Sequence, residues 1–236
     1  DSNYVGGIVG WIDYLMQNTN VRDSLISSQG SYVGGIAGSN EIANNHKHYI
    51  YNFIQNTTIE GYSKVGGITG QYKVGSIYYN YINANINVTG HTAGGIVGYL
   101  DNTGMTNANN VSNIYNNYVA GTTINAPEKV GGIIGDSTQE LLEGHYYNNF
   151  IEANLKTDNI QTTSLGIGGR KQDSTLTNTY VYKYSILNGE YVNTSNDTFQ
   201  EEYYATLENL KDRNFYINKL KWNTYTYNYN MLTQNK

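Results

Sequence analysis

The stretch VGGITG at residues 65–70 decides the fold, because similar copies of it recur along the chain. The other copies are VGGIVG (5–10), VGGIAG (33–38), AGGIVG (93–98) and VGGIIG (130–135), and a weaker form, LGIGGR, follows at 165–170. Successive copies begin 28, 32, 28, 37 and 35 residues apart. A period of this size is typical of solenoids, propellers and repeat arrays. The unequal steps favour a parallel β-solenoid, because each coil of a solenoid can lengthen at one loop.

The paired glycines of these copies are expected to be architectural. A phosphate-binding loop needs a Lys-Ser/Thr pair after its glycines, and none of the copies has one. Glycine pairs instead permit positive φ and let neighbouring layers approach without an intervening Cβ. The structural glycines predicted in this way are Gly6, Gly7, Gly34, Gly35, Gly66, Gly67, Gly94, Gly95, Gly131 and Gly132.

A second repeated feature is an asparagine that lies 13 residues before the glycine motif in most repeats, and 16 before it in one. These asparagines are Asn20, Asn52, Asn80, Asn117 and Asn149, and Thr179 replaces the asparagine in the last repeat. They are predicted to stack at about 4.8 Å as a hydrogen-bonded ladder. Asparagine also tolerates the left-handed backbone that a sharp corner requires, so the ladder is expected to lie at a corner.

Short β-branched and aromatic segments follow each asparagine and predict strands. In a solenoid they stack into an aromatic column of Phe53, Tyr81, Tyr118, Phe150 and Tyr180. Beside it an aliphatic column is expected, consisting of Ile54, Ile82, Val119, Ile151 and Val181. The valine and isoleucine of each VGGI are expected to point inward and form the core.

The predicted fold is therefore all-β, a right-handed parallel β-solenoid of about six coils over residues 1–195, with a small C-terminal helix/strand cap. The capping segment is predicted to cover residues 196–236. A helix is expected at 196–213, with Thr198 as N-cap and Glu201 in capping-box position. An alternating strand is expected at 214–222, and the segment is predicted to protect the C-terminal strand edges. The chain opens within a repeat, so we expect a piece of a longer or processed protein, without a cap at its N-terminal end.

Composition narrows the possible functions. The chain has 236 residues, a net charge of -5, only 14% charged residues and no cysteine. This balance gives no basic surface for nucleic acid, and cysteine-based zinc sites are excluded. No apolar run approaches 18 residues, so no transmembrane segment is predicted. The 25 tyrosines, together with abundant asparagine, suit contacts with sugars or proteins, since tyrosine has a flat apolar body and one polar tip.

One polar cluster stands out as a candidate site: Asp136, Glu140, Glu143 and His145, on a long loop. Paired carboxylates in a groove are required for polysaccharide cleavage, which some β-solenoids perform. A solvated insertion is the favoured interpretation. His48 and His145 share a predicted column but lie three steps apart, about 14 Å, too far to share a metal ion. The chain is therefore predicted to be non-catalytic and to need no cofactor.

Repeated [VA]GGIxG within units of 28–37 residues resembles the GLUG motif of bacterial surface proteins. This motif is found in the immunoglobulin A1-specific zinc metallopeptidases of Gram-positive bacteria and in large adhesins. The tail ENLKDRNFYINKLKWN (208–223) is similar to the segment that closes such repeats, with Phe215, Tyr216, Leu220 and Trp222. The resemblance covers Val5 to about Trp222. In those peptidases the GLUG region is non-catalytic, and no HExxH zinc motif is present in this chain.

The resemblance implies a secreted or cell-wall-attached module of such a peptidase, a virulence-type protein. The module would space the catalytic domain and contact a host glycoprotein or immunoglobulin, besides other domains of its own polypeptide. Two alternatives remain open at this stage. One is an adhesin repeat region that binds host glycans or proteins, and the other is a carbohydrate-active β-helix enzyme that uses the cluster at Asp136.

Overall fold

The chain folds as stacked parallel β-sheets. A computed structural model describes residues 3–40, 48–101, 103, 112–138, 145–169, 176–192 and 203–224. Most described residues are in strands, and four sheets, here named A to D, contain them. Successive repeats add parallel strands to these sheets, although the sixth repeat contributes only an isolated bridge, Ile167 to Ile134, to sheet B. This arrangement is consistent with an all-β parallel solenoid.

The strands group by sheet as follows. Sheet A contains Val5–Gly6, Ser31–Gly34, Ser63–Gly66, Thr92–Gly94, Lys129–Gly131 and Thr163–Ser164. Sheet B contains Val9–Trp11, Ala37–Asn40, Thr69–Tyr72, Val97–Leu100 and Ile134–Ser137. Sheet C contains Leu15–Gln17, His48–Ile50, Gly75–Tyr78, Ser112–Tyr115, His145–Tyr147 and Leu176–Thr177. Sheet D contains Asn20–Arg22, Leu25–Ser27, Phe53–Gly61, Tyr81–Val88, Tyr118–Asn125, Phe150–Lys156, Tyr180–Tyr182, Ile186–Leu187, Glu190–Tyr191 and Tyr204–Ala205.

The register confirms the two predicted columns of sheet D. Phe53, Tyr81, Tyr118, Phe150 and Tyr180 are paired in succession, and so are Ile54, Ile82, Val119, Ile151 and Val181. The five members of the aliphatic column are completely buried. The valine and isoleucine positions of the glycine motif are also buried in the core from the second repeat onward.

The glycine motif works through close backbone approach. A Cβ on Gly67 would collide with the carbonyl oxygen of Gly95 in the next repeat, and one on Gly66 with the carbonyl oxygen of Thr69 in its own turn. The same two overlaps recur in the other VGGI copies. The accompanying expectation of positive φ is wrong, since none of the ten motif glycines has it. The glycines between sheets A and B therefore keep ordinary backbone angles, and the lack of space alone excludes a side chain there.

The asparagine ladder is present at four of the five predicted positions. Both the backbone N–H and Nδ2 of Asn80 donate to Oδ1 of Asn117, at 3.1 and 2.9 Å. Asn52 makes the same pair of bonds to Asn80, and Asn117 makes it to Asn149. Each Nδ2 also donates to a backbone carbonyl of the preceding repeat. Every amide in the buried ladder therefore has its partners.

The prediction for Asn20 is wrong. Asn20 pairs with Phe53 at the aromatic column, and Thr19 occupies the ladder position, where its hydroxyl donates to Oδ1 of Asn52 at 2.7 Å. The cause is one extra residue in the first repeat. Three residues separate Ser27 from Ser31, whereas two separate their partners in the next repeat, so a count of 13 ends one residue late.

The corner conformation also differs from the prediction. The left-handed residue is the one that precedes the ladder position, and not the ladder asparagine itself. Residues with positive φ at this corner are Asn18, Tyr51, Tyr79, Asn116, Asn148 and Asn178. The corner therefore uses a second column, in which two repeats hold a tyrosine in a conformation that large side chains rarely adopt.

The C-terminal segment contains an α-helix at Leu207–Lys211, capped by Thr206 with Asn209 in a capping box. The predicted N-cap, Thr198, and its partner Glu201 lie outside the described residues. A strand over 214–222 is wrong, because Phe215–Lys219 forms a π-helical turn. This turn brings the consecutive side chains of Phe215 and Tyr216 into one buried cluster, which an alternating strand cannot do.

The C-terminal segment protects both an end and a side of the stack. Tyr204–Ala205 pairs with the Tyr180–Tyr182 strand and extends sheet D at its C-terminal end. Residues 215–222, here called the strap, then turn back along the outer aromatic column of sheet D. Trp222 packs against Tyr118, and its indole N–H donates to the carbonyl oxygen of Asn148 at 2.7 Å. A cap was predicted at the C-terminal end, but the lateral strap was not. The domain boundary at 195/196 stays a prediction.

Among the described residues, no helix has the length and apolar character needed to cross a membrane.

Candidate functional site

A ladder of stacked tyrosines lies on the outer face of sheet C. Tyr78, Tyr115 and Tyr147 are in register, with ring centroids 4.8 Å apart for both steps. Their rings are parallel to within 5° and 6°. The period of the repeat produces this stack, because each ring follows a buried residue of sheet C and precedes the corner.

The corner beside this ladder carries a second tyrosine pair. Tyr51 and Tyr79 stack on each other with centroids 4.9 Å apart, and Tyr79 meets Tyr78 edge to face at 5.0 Å. Both have positive φ, which turns their side chains out of the sheet plane. The hydroxyl of Tyr79 accepts a hydrogen bond from Nδ2 of Asn223 just beyond the strap, at 3.5 Å. We call these five residues, Tyr51, Tyr78, Tyr79, Tyr115 and Tyr147, the tyrosine face.

Burial governs the ionisation of the three ladder tyrosines, Tyr78, Tyr115 and Tyr147. Partial burial raises the pKa of Tyr78 and Tyr147 above the usual value, with the neighbouring Tyr79 hydroxyl contributing to both shifts. Burial, reinforced by four neighbouring tyrosines, also raises the pKa of Tyr115. These phenols therefore stay neutral at any physiological pH, and each can donate and accept a hydrogen bond.

Stacking decides which chemistry the tyrosine face offers. Parallel rings 4.8 Å apart cover each other's faces, so the ladder presents ring edges and hydroxyl groups outward. A sugar or peptide can form hydrogen bonds with a row of hydroxyl groups spaced at the interval between strands. The ring faces inside the ladder are covered by the neighbouring rings and are not available for stacking. The arrangement fits hydrogen-bonded recognition of a polar polymer.

Of the predicted polar cluster, only Asp136 and the backbone of His145 lie within the described residues, so the cluster stays a prediction. Asp136 lies in sheet B, where its Oδ2 is 2.7 Å from Nζ of Lys129, and His145 begins a strand of sheet C. Glu140 and Glu143 lie outside the described residues. The register confirms that His48 and His145 share one column, with Ser76 and Asn113 between them. Within the described ranges, no three histidine or acidic residues are grouped as metal ligands.

The structure also reveals a polar constellation that sequence reasoning missed. Nδ1 of His91 lies 2.8 Å from Oε1 of Glu128, and its Nε2 lies 3.5 Å from the hydroxyl of Tyr62. Three successive repeats supply these residues, and the 37-residue step between Ala93 and Val130 could have placed Glu128 beside His91. The Tyr62–His91 contact is long, and all three side chains are about half exposed. These features indicate a structural role, in which the group links successive repeats at this corner.

No family model, no curated protein and no solved structure matches this chain.

Proposed function

We propose that the chain is a non-catalytic module of a secreted or cell-wall-attached bacterial zinc metallopeptidase of the immunoglobulin A1 protease type. In this proposal the module is a right-handed β-solenoid of about six coils, which spaces the catalytic domain and helps to engage a host glycoprotein or immunoglobulin. It works without a cofactor of its own.

One observation supports the proposal: the two stretches that carry the resemblance, the glycine repeat and the closing segment, are both closely packed in the fold. The motif glycines set the approach of successive repeats. Phe215, Tyr216, Leu220 and Trp222, which carry the resemblance to the segment closing GLUG repeats, are all buried against sheet D. Both parts of the resemblance therefore lie at positions where the fold leaves little room for substitution. This supports a relationship to proteins with GLUG repeats that does not rest on a similar amino-acid composition alone.

The test uses the purified chain with human immunoglobulin A1. The chain alone, with and without added Zn²⁺, should leave the immunoglobulin heavy chain intact over hours, whereas immobilised chain should retain the immunoglobulin in a surface binding assay. Cleavage by the chain alone would contradict the non-catalytic role. Absence of retention would remove the host-binding part and leave only a spacer.

A second candidate, an adhesin repeat region, is favoured by the tyrosine face. Its hydroxyls form a regular row that suits a glycan or an extended peptide. In a glycan array, Tyr115→Phe should weaken binding at least about tenfold, because the ring stack survives and only the hydroxyl is lost. Tyr49→Phe is the matched control, since Tyr49 is buried inside sheet C. Equal binding by Tyr115→Phe and wild type would exclude the tyrosine face as the glycan site.

A further inference from the structure

Sheet C and its corner with sheet D carry no carboxylate in the part of the chain that the structure describes. None of the six described strands of sheet C contains Asp or Glu. The corner residues after these strands are Asn, Tyr or Thr, at 18–19, 51–52, 79–80, 116–117, 148–149 and 178–179. The chain as a whole has 19 acidic residues and a net charge of -5. The tyrosine face therefore lies on a surface that lacks the negative charge of the rest of the chain, so an anion can approach it.

The end of the strap borders the tyrosine face at two points. The indole N–H of Trp222 donates to the carbonyl oxygen of Asn148, which follows Tyr147 of the ladder. The next residue, Asn223, donates from Nδ2 to the hydroxyl of Tyr79 at 3.5 Å. Tyr79 and Asn148 belong to the same corner and lie two repeats apart, so this short segment runs along the edge of the tyrosine face.

The strap and its flanking residues bring positive charge to this edge. Lys221 is exposed between two buried residues and lies two positions before Asn223, so the Cα atoms of the two residues are at most about 7 Å apart. Nη2 of Arg213 donates to the hydroxyl of Thr224, directly after Asn223, at 3.5 Å. Lys219 is also exposed. Within the described residues, no ion pair neutralises Lys219 or Lys221.

We propose that the tyrosine face and the cations Arg213, Lys219 and Lys221 together form a site for an acidic polysaccharide whose sugars carry carboxylate groups. This inference rests on the second candidate function, the binding of a glycan at the tyrosine face, and adds the class of glycan. The phenol hydroxyls donate to and accept from the sugar hydroxyls, and the cations along the same edge bind the carboxylates through charge-assisted hydrogen bonds.

Two features favour a sparsely charged polysaccharide over other polyanions. The strands that carry Tyr78, Tyr115 and Tyr147 are paired on both sides, so an extended peptide cannot join the tyrosine face as an added strand. The cations are few and the chain is acidic as a whole, so a densely charged polymer would be repelled by the surfaces beyond this edge. A polysaccharide with spaced carboxylates combines many hydroxyls with few charges, as the site does.

The test compares an acidic with a neutral polysaccharide of equal length. Isothermal titration calorimetry should show binding of hyaluronan oligosaccharides, in which every second sugar carries a carboxylate, and at least about tenfold weaker binding of chitin oligosaccharides, which carry none. Raising the salt concentration from about 50 to about 500 mM should weaken the binding of hyaluronan, because exposed charges are screened.

Variants separate the cations from the tyrosine face. Lys221→Gln should weaken the binding of hyaluronan about threefold, and Arg213→Gln with Lys221→Gln at least about tenfold, while the binding of chitin oligosaccharides stays the same. Lys156→Gln is the matched control, since it removes one exposed charge at the end of a strand of sheet D and should bind as wild type does. If far-UV circular dichroism shows that the double variant is unfolded, Lys219→Gln with Lys221→Gln takes its place.

The possible failures are distinguishable. Equal binding of the two oligosaccharides, or equal loss in Lys156→Gln and Lys221→Gln, would overturn this inference, and the tyrosine face would still be a glycan site if Tyr115→Phe weakened that binding. Binding of neither oligosaccharide would overturn both this inference and the second candidate function. Tighter binding of dextran sulfate or of polyglutamate than of hyaluronan would also overturn the inference, because the site would then recognise charge density or an acidic peptide.

Discussion

The hydroxyl of Thr19 donates to Oδ1 of Asn52 at 2.7 Å, whereas the neighbouring Asn20 lies outside the ladder and accepts a hydrogen bond from Arg22. Two adjacent polar residues thus have different structural roles, although only the asparagine matches the repeated sequence. In the middle of the ladder the amide of Asn80 is completely buried and donates to both neighbouring repeats, at the Tyr49 carbonyl oxygen and at Oδ1 of Asn117.

Asn80→Ala should destabilise the fold by about 3 kcal/mol or more. The change removes the acceptor of the backbone N–H and Nδ2 of Asn52 and the amide that donates to the Tyr49 carbonyl oxygen and to Oδ1 of Asn117. A buried group that loses its partner costs about 1–3 kcal/mol. Urea unfolding followed by circular dichroism measures the loss. Asn20→Ala is the control and should change the free energy of unfolding by less than about 0.5 kcal/mol. Comparable losses in the two variants would contradict the assignment of Thr19 to the ladder.

Gly67→Ala should be among the most destabilising single-methyl changes in the chain, at about 3 kcal/mol or more. Its Cβ would overlap the carbonyl oxygen of Gly95, which is a backbone atom, and the side chain of Ile82, which is completely buried. Gly10→Ala lies in the first repeat, where the added Cβ meets the Tyr4 carbonyl oxygen at 2.9 Å, so it should cost less. Thermal unfolding ranks the two variants. The reverse ranking would show that interior repeats can separate to admit a methyl group.

Trp222→Ala should release the strap and cost about 3–5 kcal/mol. The indole is 1% exposed, packs against Tyr118 and Tyr216, and donates to the Asn148 carbonyl oxygen. Limited proteolysis should then cut within 207–224 while the sheets remain protected. Leu207→Ala is the control because Leu207 is 45% exposed. A protease pattern equal to wild type would mean that the strap is held by other contacts.

The free energy of unfolding should fall in alkaline solution, because buried tyrosines resist ionisation. Burial and the nearby Glu152 raise the pKa of Tyr81 to about 12, and burial raises the pKa of Tyr49, Tyr72 and Tyr146 as well. Above the ordinary tyrosine pKa of about 10, the unfolded chain loses protons that the folded chain retains, so unfolding becomes easier as pH rises. Urea midpoints at neutral pH and at about pH 11 measure the effect. An unchanged midpoint would mean that these phenols ionise equally in both states.

Glu152→Gln should stabilise the protein at neutral pH. Burial raises the pKa of Glu152 above 4.5, while its hydrogen bond from the Tyr118 hydroxyl acts in the opposite direction. Because the folded state holds this proton more tightly, stability decreases as pH rises from below 4.5 through the raised value. The amide keeps an acceptor for Tyr118 and removes the buried charge. The stability difference between variant and wild type should disappear in acid, and a constant difference at all pH values would contradict the cause given.

The repeat explains why much of the fold could be predicted. Phe53 and Tyr81 are in register because the spacing between their repeats is preserved on both sides, so counting along the sequence is equivalent to stacking. The same count gave Asn20 instead of Thr19 as the ladder residue, because one extra residue between Ser27 and Ser31 shifts only part of the first repeat. Such an insertion has no signature until the strands are paired.

The strap could not be predicted in the same way. The alternation around Phe215 is compatible with a strand, but packing against Phe150 and Tyr180 favours a tighter turn. Tertiary contact, and not local sequence preference, selects this structure. The contact between His91 and Glu128 does follow from counting, because each lies two residues before the glycine motif of its repeat. The tyrosine face was foreseen only as an abundance of tyrosine, without its positions.

The path of the strap has a mechanical consequence. In a stack of repeats that is held only by contacts between neighbours, pulling on the last repeat can detach the repeats one at a time. Phe215 contacts Tyr180 and Phe150, Trp222 contacts Tyr118, and Asn223 bonds to Tyr79, so one short segment crosses several repeats. A force on the C-terminal repeats must therefore break these contacts together before any single repeat separates. This end of the stack is expected to resist force as one unit.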